Sequence, residues 1–249
     1  MPIEIDAETL SAMRSAAERG VTILTGAGLS AESGIATFRD SGGLWENHSL
    51  DEVATPEGWA KDSKLVTRFY NARRAQLHDV EPNPGHFALA RLEKRLGARL
   101  WLITQNVDDL LERAGATRVF HMHGELRKVR CTRCRAVHEW YDPVVLDQST
   151  CPSCSAKSLR PHIVWFGEVP FYLDDAIPEA LESSGLFISV GTSGVVYPAA
   201  GLVSAAKELG AMTLEVNLEP SANAQMFDVQ CSGRSGELLP ELVGLLTGG

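Results

Sequence analysis

Residues 21–34 read VTILTGAGLSAESG, a short apolar run that stops at Gly26 and gives way to a glycine-rich turn. Apolar residues in a run this short, bounded by glycines, predict a strand covered on both faces. Gly26-x-Gly28-x-x-Ala31 then stands between that strand and a predicted helix, the setting a dinucleotide-binding turn requires. Glycines let the main chain approach a pyrophosphate, and a helix N-terminus offers N–H groups to it. The acidic ribose partner expected ~20 residues further on in an ordinary dehydrogenase falls in a segment of different character. A Walker-type phosphate loop is excluded, because no Gly-Lys-Ser/Thr follows.

The same alternation extends in both directions. AETLSAMRSAAERG precedes the strand as a helix capped by Gly20; HFALARLEKRLG, VDDLLERAG, PAAGLVSAAKELG and GELLPELVGLL predict helices, and ARLWLITQN, RVFHMHG, GLFISVGTS and AMTLEVN predict strands. Alternating strands and helices imply an α/β fold with a doubly wound parallel sheet. Two excursions interrupt it. Residues 45–85 look helical and close in a Pro/Asn/Gly turn, while residues 126–160 hold four cysteines and little apolar periodicity.

At 249 residues the chain suits one large domain with a smaller insert. Its 23 basic and 32 acidic residues give a net charge of −9, which argues against a dedicated nucleic-acid binder. The acidic N-terminus has no signal-peptide pattern, and no apolar run approaches the ~18 residues of a spanning helix, so a soluble cytoplasmic protein without a membrane partner is expected. In a reducing compartment the pairs Cys131/Cys134 and Cys151/Cys154 predict metal ligands rather than disulfides, and Cys231 stands outside them. Four thiolates in two chelating pairs suit tetrahedral Zn²⁺ and leave it no open position, so the predicted zinc is structural.

Several predicted strands end in polar residues: Gln105, Asn106 and Asp108; Gly191, Thr192 and Ser193; Asn217 and Glu219. These gather where open α/β sheets bind ligands, and an extended polar ligand such as NAD accounts for the set. His121 and His123 follow another strand. If that strand continues through both, they share a face, and spacing alone does not choose a general base between them.

The ordered set GAGLSAESGIATFRD, TQNVDDL, HMHGEL, the four-cysteine pattern, RPHIVWFGEVP, VGTS and VNLE resembles the sirtuins, NAD-dependent protein-lysine deacylases, across almost the whole chain. The resemblance implies a Rossmann-like NAD-binding domain (1–44, 86–125 and 161–249). It also implies a small domain made of a helical insert (45–85) and a zinc ribbon (126–160). It places His123 as general base, with Asn106 and Asp108 beside it as catalytic residues. It assigns the NAD site to Gly26, Ala27, Gly28, Ala31, Phe38, Arg39, Trp45, Gln105, Asn106 and Asp108, and its adenosine end to Gly191, Thr192, Ser193, Asn217, Leu218, Glu219 and Ser235. Around Ser235 the segment CSGRSGELLP departs most from the family pattern. NAD would be consumed as a co-substrate, giving nicotinamide, free lysine and 2′-O-acyl-ADP-ribose, with acyl-lysine proteins or peptides as partners.

Tyr70 and Arg73 are three apart in a predicted helix and share a face. Tyr-x-x-Arg at this place resembles the class III sirtuins, in which the pair reads an acidic acyl chain, and Ala54 corresponds to a small residue that leaves the acyl pocket roomy. Guanidinium binds a carboxylate bidentately, so succinyl- and malonyl-lysine join acetyl-lysine as expected substrates. Two other readings compete. A Rossmann-type dehydrogenase would lack its ribose acid, and a non-catalytic zinc-ribbon binder would leave the glycine turn and polar strand ends unexplained.

Overall fold

The computed structural model of the protein describes residues 3–36, 44–45 and 48–248. Phe38 and Arg39 lie outside the described residues, and Trp45 is described only in its main chain. In chain order the strands are β1 (Val21–Thr25), β2 (Leu44–Trp45), β3 (His48–Ser49), β4 (Leu100–Thr104), β5 (Val119–His121), β6 (Gly124–Cys131), β7 (Val137–Glu139), β8 (Leu159–Ile163), β9 (Leu186–Val190), β10 (Met212–Asn217) and β11 (Val229–Ser232). The helices are α1 (Ala7–Arg19), α2 (Ala27–Ala31), α3 (Leu50–Val53), α4 (Pro56–Lys61), α5 (Ser63–Gln76), α6 (Pro84–Leu96), α7 (Leu110–Arg113), α8 (Ala176–Ser183), α9 (Leu202–Glu208) and α10 (Ser235–Thr247).

Six parallel strands form the main sheet in the order β11-β10-β9-β1-β4-β5. Counted along the chain this is the 3-2-1-4-5-6 arrangement of the Rossmann fold, whose strand order reverses between β1 and β9. Each central strand is buried throughout, and its side chains alternate between two cores. Val21, Ile23, Leu100, Leu102, Leu186 and Ile188 face one core with α1, α6 and α10. Leu24, Trp101, Ile103 and Phe187 face the other, with α8 and α9. The continuous apolar runs of the sequence follow from this double coverage.

Helix ends follow local chemistry. Asp6 caps α1 by accepting from the Thr9 N–H at 2.8 Å, and Gly20 ends it at φ 136°. Asn83 caps α6 ahead of Pro84, and its own N–H donates to His86 Nδ1 at 3.2 Å. The predicted VDDLLERAG helix forms only over Leu110–Arg113, and VQCS, not anticipated as a strand, becomes the edge strand β11, with Cys231 buried in it.

Both excursions stand apart from the main sheet. α3, α4 and α5 enclose a third core, with Tyr70 and Trp165 in it. β6, β7 and β8 form an antiparallel sheet in the order β7-β6-β8, reaching from Gly124 to Ile163, a few residues beyond the segment expected. Strand β5 ends at His121, and His123 lies in the turn before β6, so the two histidines do not share a strand face.

At the reversal point the main chains of the first and fourth sheet strands cross. Gly26 donates to the Val190 carbonyl and Gly28 to that of Gly191, both at 2.9 Å. Gly191 has φ +61°, and a Cβ there would stand 2.5 Å from the Leu29 nitrogen and 2.7 Å from Gly28 Cα. Neither chain has room to give, so backbone strain and overpacking act together. Gly191→Ala is expected to cost about 3 kcal/mol, read as a lowered urea midpoint with an unchanged m value.

Candidate active site

Four loops leaving the strand ends line a cavity of about 610 Å³. The β1 loop contributes Gly26, Ala27, Gly28 and Ala31, and the β4 loop contributes Gln105, Asn106 and Asp108. Gly191, Thr192 and Ser193 come from β9, and Asn217, Leu218 and Glu219 from β10. Ser235, from the start of α10, and His123 also reach it. Ala54, Tyr70 and Arg73 line it from the helical insert, so every expected ligand-site residue whose side chain is described borders one space.

The β4 loop is held against the glycine crossing. Asn106 Nδ2 donates to the Gly26 carbonyl and to Ser30 Oγ, each at 3.1 Å, and Ser30 Oγ donates to Asp108 at 3.0 Å. Burial pushes the Asp108 carboxyl up, while hydrogen bonds from Leu110 N–H and Ser30, together with the charge on His121, act against it. On the β10 side, Asn217 Nδ2 donates to the Thr192 carbonyl at 2.7 Å. Behind Ser30 stands His86, fully buried, with Nε2 at 3.3 Å from the hydroxyl. Its Nδ1 accepts from Asn83, which fixes the neutral tautomer with the proton on Nε2. Ser30 and His86 were not singled out in the sequence. Ser30 lies inside GAGLSAESG and His86 inside NPGHF, but neither segment shows by spacing that the two side chains meet.

The two histidines separate cleanly. His123 is half-buried and faces the cavity; burial lowers its pKa while a hydrogen bond with the Gln105 main chain opposes that, so the ring is neutral at pH 7. His121 is buried behind the loop, with Nδ1 at 3.0 Å from the Asn106 carbonyl and Nε2 at 2.8 Å from Glu112.

At the insert end, Trp165 Nε1 donates to Tyr70 Oη at 3.1 Å, and burial pushes the phenol up out of its ordinary range. Arg73 is buried beside it, and the Ala54 carbonyl accepts from Phe166 N–H at 2.9 Å. The result is an aromatic-walled recess that holds the Arg73 guanidinium, with Arg160 stacked on Trp165 and Glu168 on the cavity lining.

The four cysteines converge in the antiparallel sheet. All four sulfurs lie within 4.8 Å of one another, with Cys131–Cys154 at 3.7 Å and Cys134–Cys151 at 3.6 Å, and none is in a disulfide. Thiolates at ~2.3 Å from a tetrahedral zinc stand about 3.8 Å apart, so this donor set fits a structural Zn²⁺. Each Cys-x2-Cys is followed by a left-handed residue, Arg135 at φ 63° and Ser155 at φ 58°. Neither histidine of HMHGE takes part.

A Rossmann-type sheet whose crossing carries a polar-edged cavity, joined to a four-thiolate ribbon, defines a nucleotide-handling enzyme class with a structural metal. The Sir2 family model matches residues 26–198, and the chain belongs to that family. It is 51% identical to the NAD-dependent protein deacylase of Shewanella oneidensis over 92% of this chain and 95% of that protein. It is 53% identical to the one of Caulobacter vibrioides over 90% and 94%. Among solved structures it is similar to a Sir2 homolog–NAD complex, with a TM-score of 0.87 and 38% identity over 99% of this chain and 96% of the other. It is also similar to a Sir2 protein bound to a myristoylated histone peptide, with a TM-score of 0.70 and 31% identity over 96% and 97%. No helix among the described residues is long and apolar enough to cross a membrane.

Two consequences are measurable. Elemental analysis of the purified protein should find one zinc per chain, and a strong chelator should release it together with a fall in melting temperature. His86, with its pKa pushed down to about 4 by burial, is neutral when folded but takes a proton when unfolded near pH 6.5. Its contribution is therefore lost as pH falls, by about 2 kcal/mol between pH 7 and 5. Urea titrations of wild type and His86→Gln at the two pH values should differ by that amount.

Proposed function

We propose that the protein is an NAD-dependent protein-lysine deacylase that removes acetyl, succinyl and malonyl groups. The observation that carries this reading is one cavity bordered by a neutral His123, by the glycine crossing, and by the Tyr70/Arg73 recess. The relatives named as NAD-dependent protein deacylases and the NAD-bound homolog support it.

NAD supplies the electrophilic ribose carbon and is consumed, with nicotinamide leaving and the acyl group passing to the ADP-ribose 2′ oxygen. This chain's residues do the rest. Gly26, Gly28 and Gly191 offer main chain without side chains, where a pyrophosphate can approach closely. Ala27, Ala31, Gln105, Thr192 and Ser193 complete the near wall, with Phe38, Arg39 and Trp45 assigned to the same ligand. Asn217, Leu218, Glu219 and Ser235 border the adenosine end. Asn106 and Asp108, held by Ser30, orient the reacting ribose, and His123 removes the ribose hydroxyl proton, a transfer worth typically ~10²–10⁴-fold. At the far end Arg73 and Tyr70 receive an acidic acyl chain, and Ala54 leaves room for it. Residues 45–85 and 126–160 act as a small domain closing this cleft on the larger one. The acidic balance, with a net charge of −9, favours acyl-lysine proteins over nucleic acids or membranes as partners. The unpaired thiolates suit the cytoplasm.

One peptide carrying acetyl-, succinyl- or malonyl-lysine, followed by mass spectrometry with and without NAD, tests the reading. Wild type should remove all three only with NAD, with activity falling once the pH drops below the ordinary histidine range and His123, whose pKa burial lowers, takes a proton. His123→Tyr should lose at least 10²-fold. Arg73→Met should lose the acidic acyl groups selectively; an equal loss for all three would make Arg73 structural and leave a plain deacetylase.

A further inference from the structure

The pairing of His121 has no part in the scheme above, yet its geometry is specific. The ring is buried, so neither nitrogen is served by bulk water. Nδ1 lies 3.0 Å from the Asn106 carbonyl and Nε2 lies 2.8 Å from a Glu112 carboxylate oxygen. A carbonyl and an ionised carboxylate only accept, and a neutral imidazole has one N–H, so both contacts are satisfied together only by an imidazolium. The charged neighbours agree. Glu112 from α7 and Glu125 from β6 both favour the charged ring, and Asp108 from the β4 loop couples to it. The nearby Arg113 and Arg127 are engaged with Asp109, and Lys128 with Glu125. His86 from α6, which also feels Glu112, is neutral. Burial pushes the His121 pKa down, but the hydrogen bond and charge of Glu112, the charge of Glu125 and the Asn106 carbonyl act against it, and the net direction is upward.

We propose that His121 and Glu112 are a positioning pair for the reaction: His121 donates from both ring nitrogens, tying the Asn106 main chain to α7 and holding the edge of the cavity that carries Gln105, Asn106 and Asp108. The link runs to the functional residue itself, since the Asn106 whose carbonyl is gripped is the one whose side chain bonds Gly26 and Ser30. The adjacent His123 can therefore stay neutral as a base while its neighbour two positions earlier stays charged as a strut. This inference rests on the deacylase reading for its catalytic consequence, but the state of the ring does not.

Glu112 is the position to change, because its side chain is 40% exposed and its removal opens no buried cavity. Ring ¹⁵N spectra of the full-length protein should show His121 as imidazolium at pH 7.5 in wild type and as a neutral ring in Glu112→Ala. That variant should raise KM for NAD about tenfold with kcat lowered less than threefold and the melting temperature little changed. Glu112→Gln, which can donate to a neutral Nε2 while Nδ1–H still serves Asn106, should recover KM to within about threefold. It should also remove the rise in KM expected of wild type when alkaline pH deprotonates the ring. A neutral His121 in wild type at pH 7.5 overturns the proposal, as does a Glu112→Ala enzyme with an unaltered KM for NAD. If wild type deacylates nothing, the functional reading falls on its own, and the ring spectra alone still decide for or against the pair.

Discussion

The 2.9 Å hydrogen bond from the Gly28 N–H to the Gly191 carbonyl is the contact on which the rest of this molecule depends. It joins the turns that leave β1 and β9, the two strands between which the sheet order reverses. Helical connections on either side of that point diverge to opposite faces, so a crevice opens at the strand ends by topology alone. Here the crevice floor is bare main chain, because a Cβ on Gly28 would stand 2.7 Å from Gly191 Cα. Side chains cannot crowd the floor, and a phosphorylated ligand can come as close to the backbone as van der Waals radii allow.

Polar side chains from flanking strands then fasten the loops to this crossing. Asn106 reaches from the β4 loop to the Gly26 carbonyl, and Asn217 reaches from β10 to the Thr192 carbonyl. Each bond is worth only about 1 kcal/mol net; the Gly26 carbonyl also accepts from the Leu29 N–H at 3.0 Å, whereas leaving the Thr192 carbonyl without Asn217 would cost about 1–3 kcal/mol. The asparagines thus tie side chains of the flanking loops to main-chain carbonyls at the crossing, and in doing so they set the cavity's walls. His121 and Glu112 extend the same arrangement one layer outward, to the carbonyl of Asn106 itself.

This hierarchy explains what could be read in the sequence. VTILT, LWLIT and LFISV announce buried parallel strands because both faces are covered, and the glycine turn after the first announces the crossing. The polar ends TQNVDD, VGTS and VNLE were legible as one ligand edge for the same reason. VQCS was not, since a four-residue edge strand with exposed Gln230 lacks a continuous apolar run. Ser30, His86 and Glu112 were not legible either, because their contacts join segments 56 and 9 residues apart through tertiary packing. The two histidines of HMHGE could be separated only once β5 was seen to end at His121; spacing by two suggests a shared face, and the turn at Met122 and His123 undoes it.

The four-cysteine cluster and the Tyr70/Arg73 recess, distant in sequence, share one mechanical support. Asn71 donates through Nδ2 to the Val144 carbonyl at 2.8 Å and accepts the Val144 N–H at 2.9 Å, so a helix side chain pairs with the ribbon as a neighbouring strand would. Val144 packs in the small core formed with Cys131 and Cys151, and Arg74 donates to the Leu126 carbonyl of β6 at 2.7 Å. Tyr70 and Arg73 flank Asn71 on the same helix. The small core around Val144 includes two of the four cysteines, so a zinc held by them would brace the same segment. The helix that carries Tyr70 and Arg73 is thereby hydrogen-bonded to the same small sheet that holds the four cysteines.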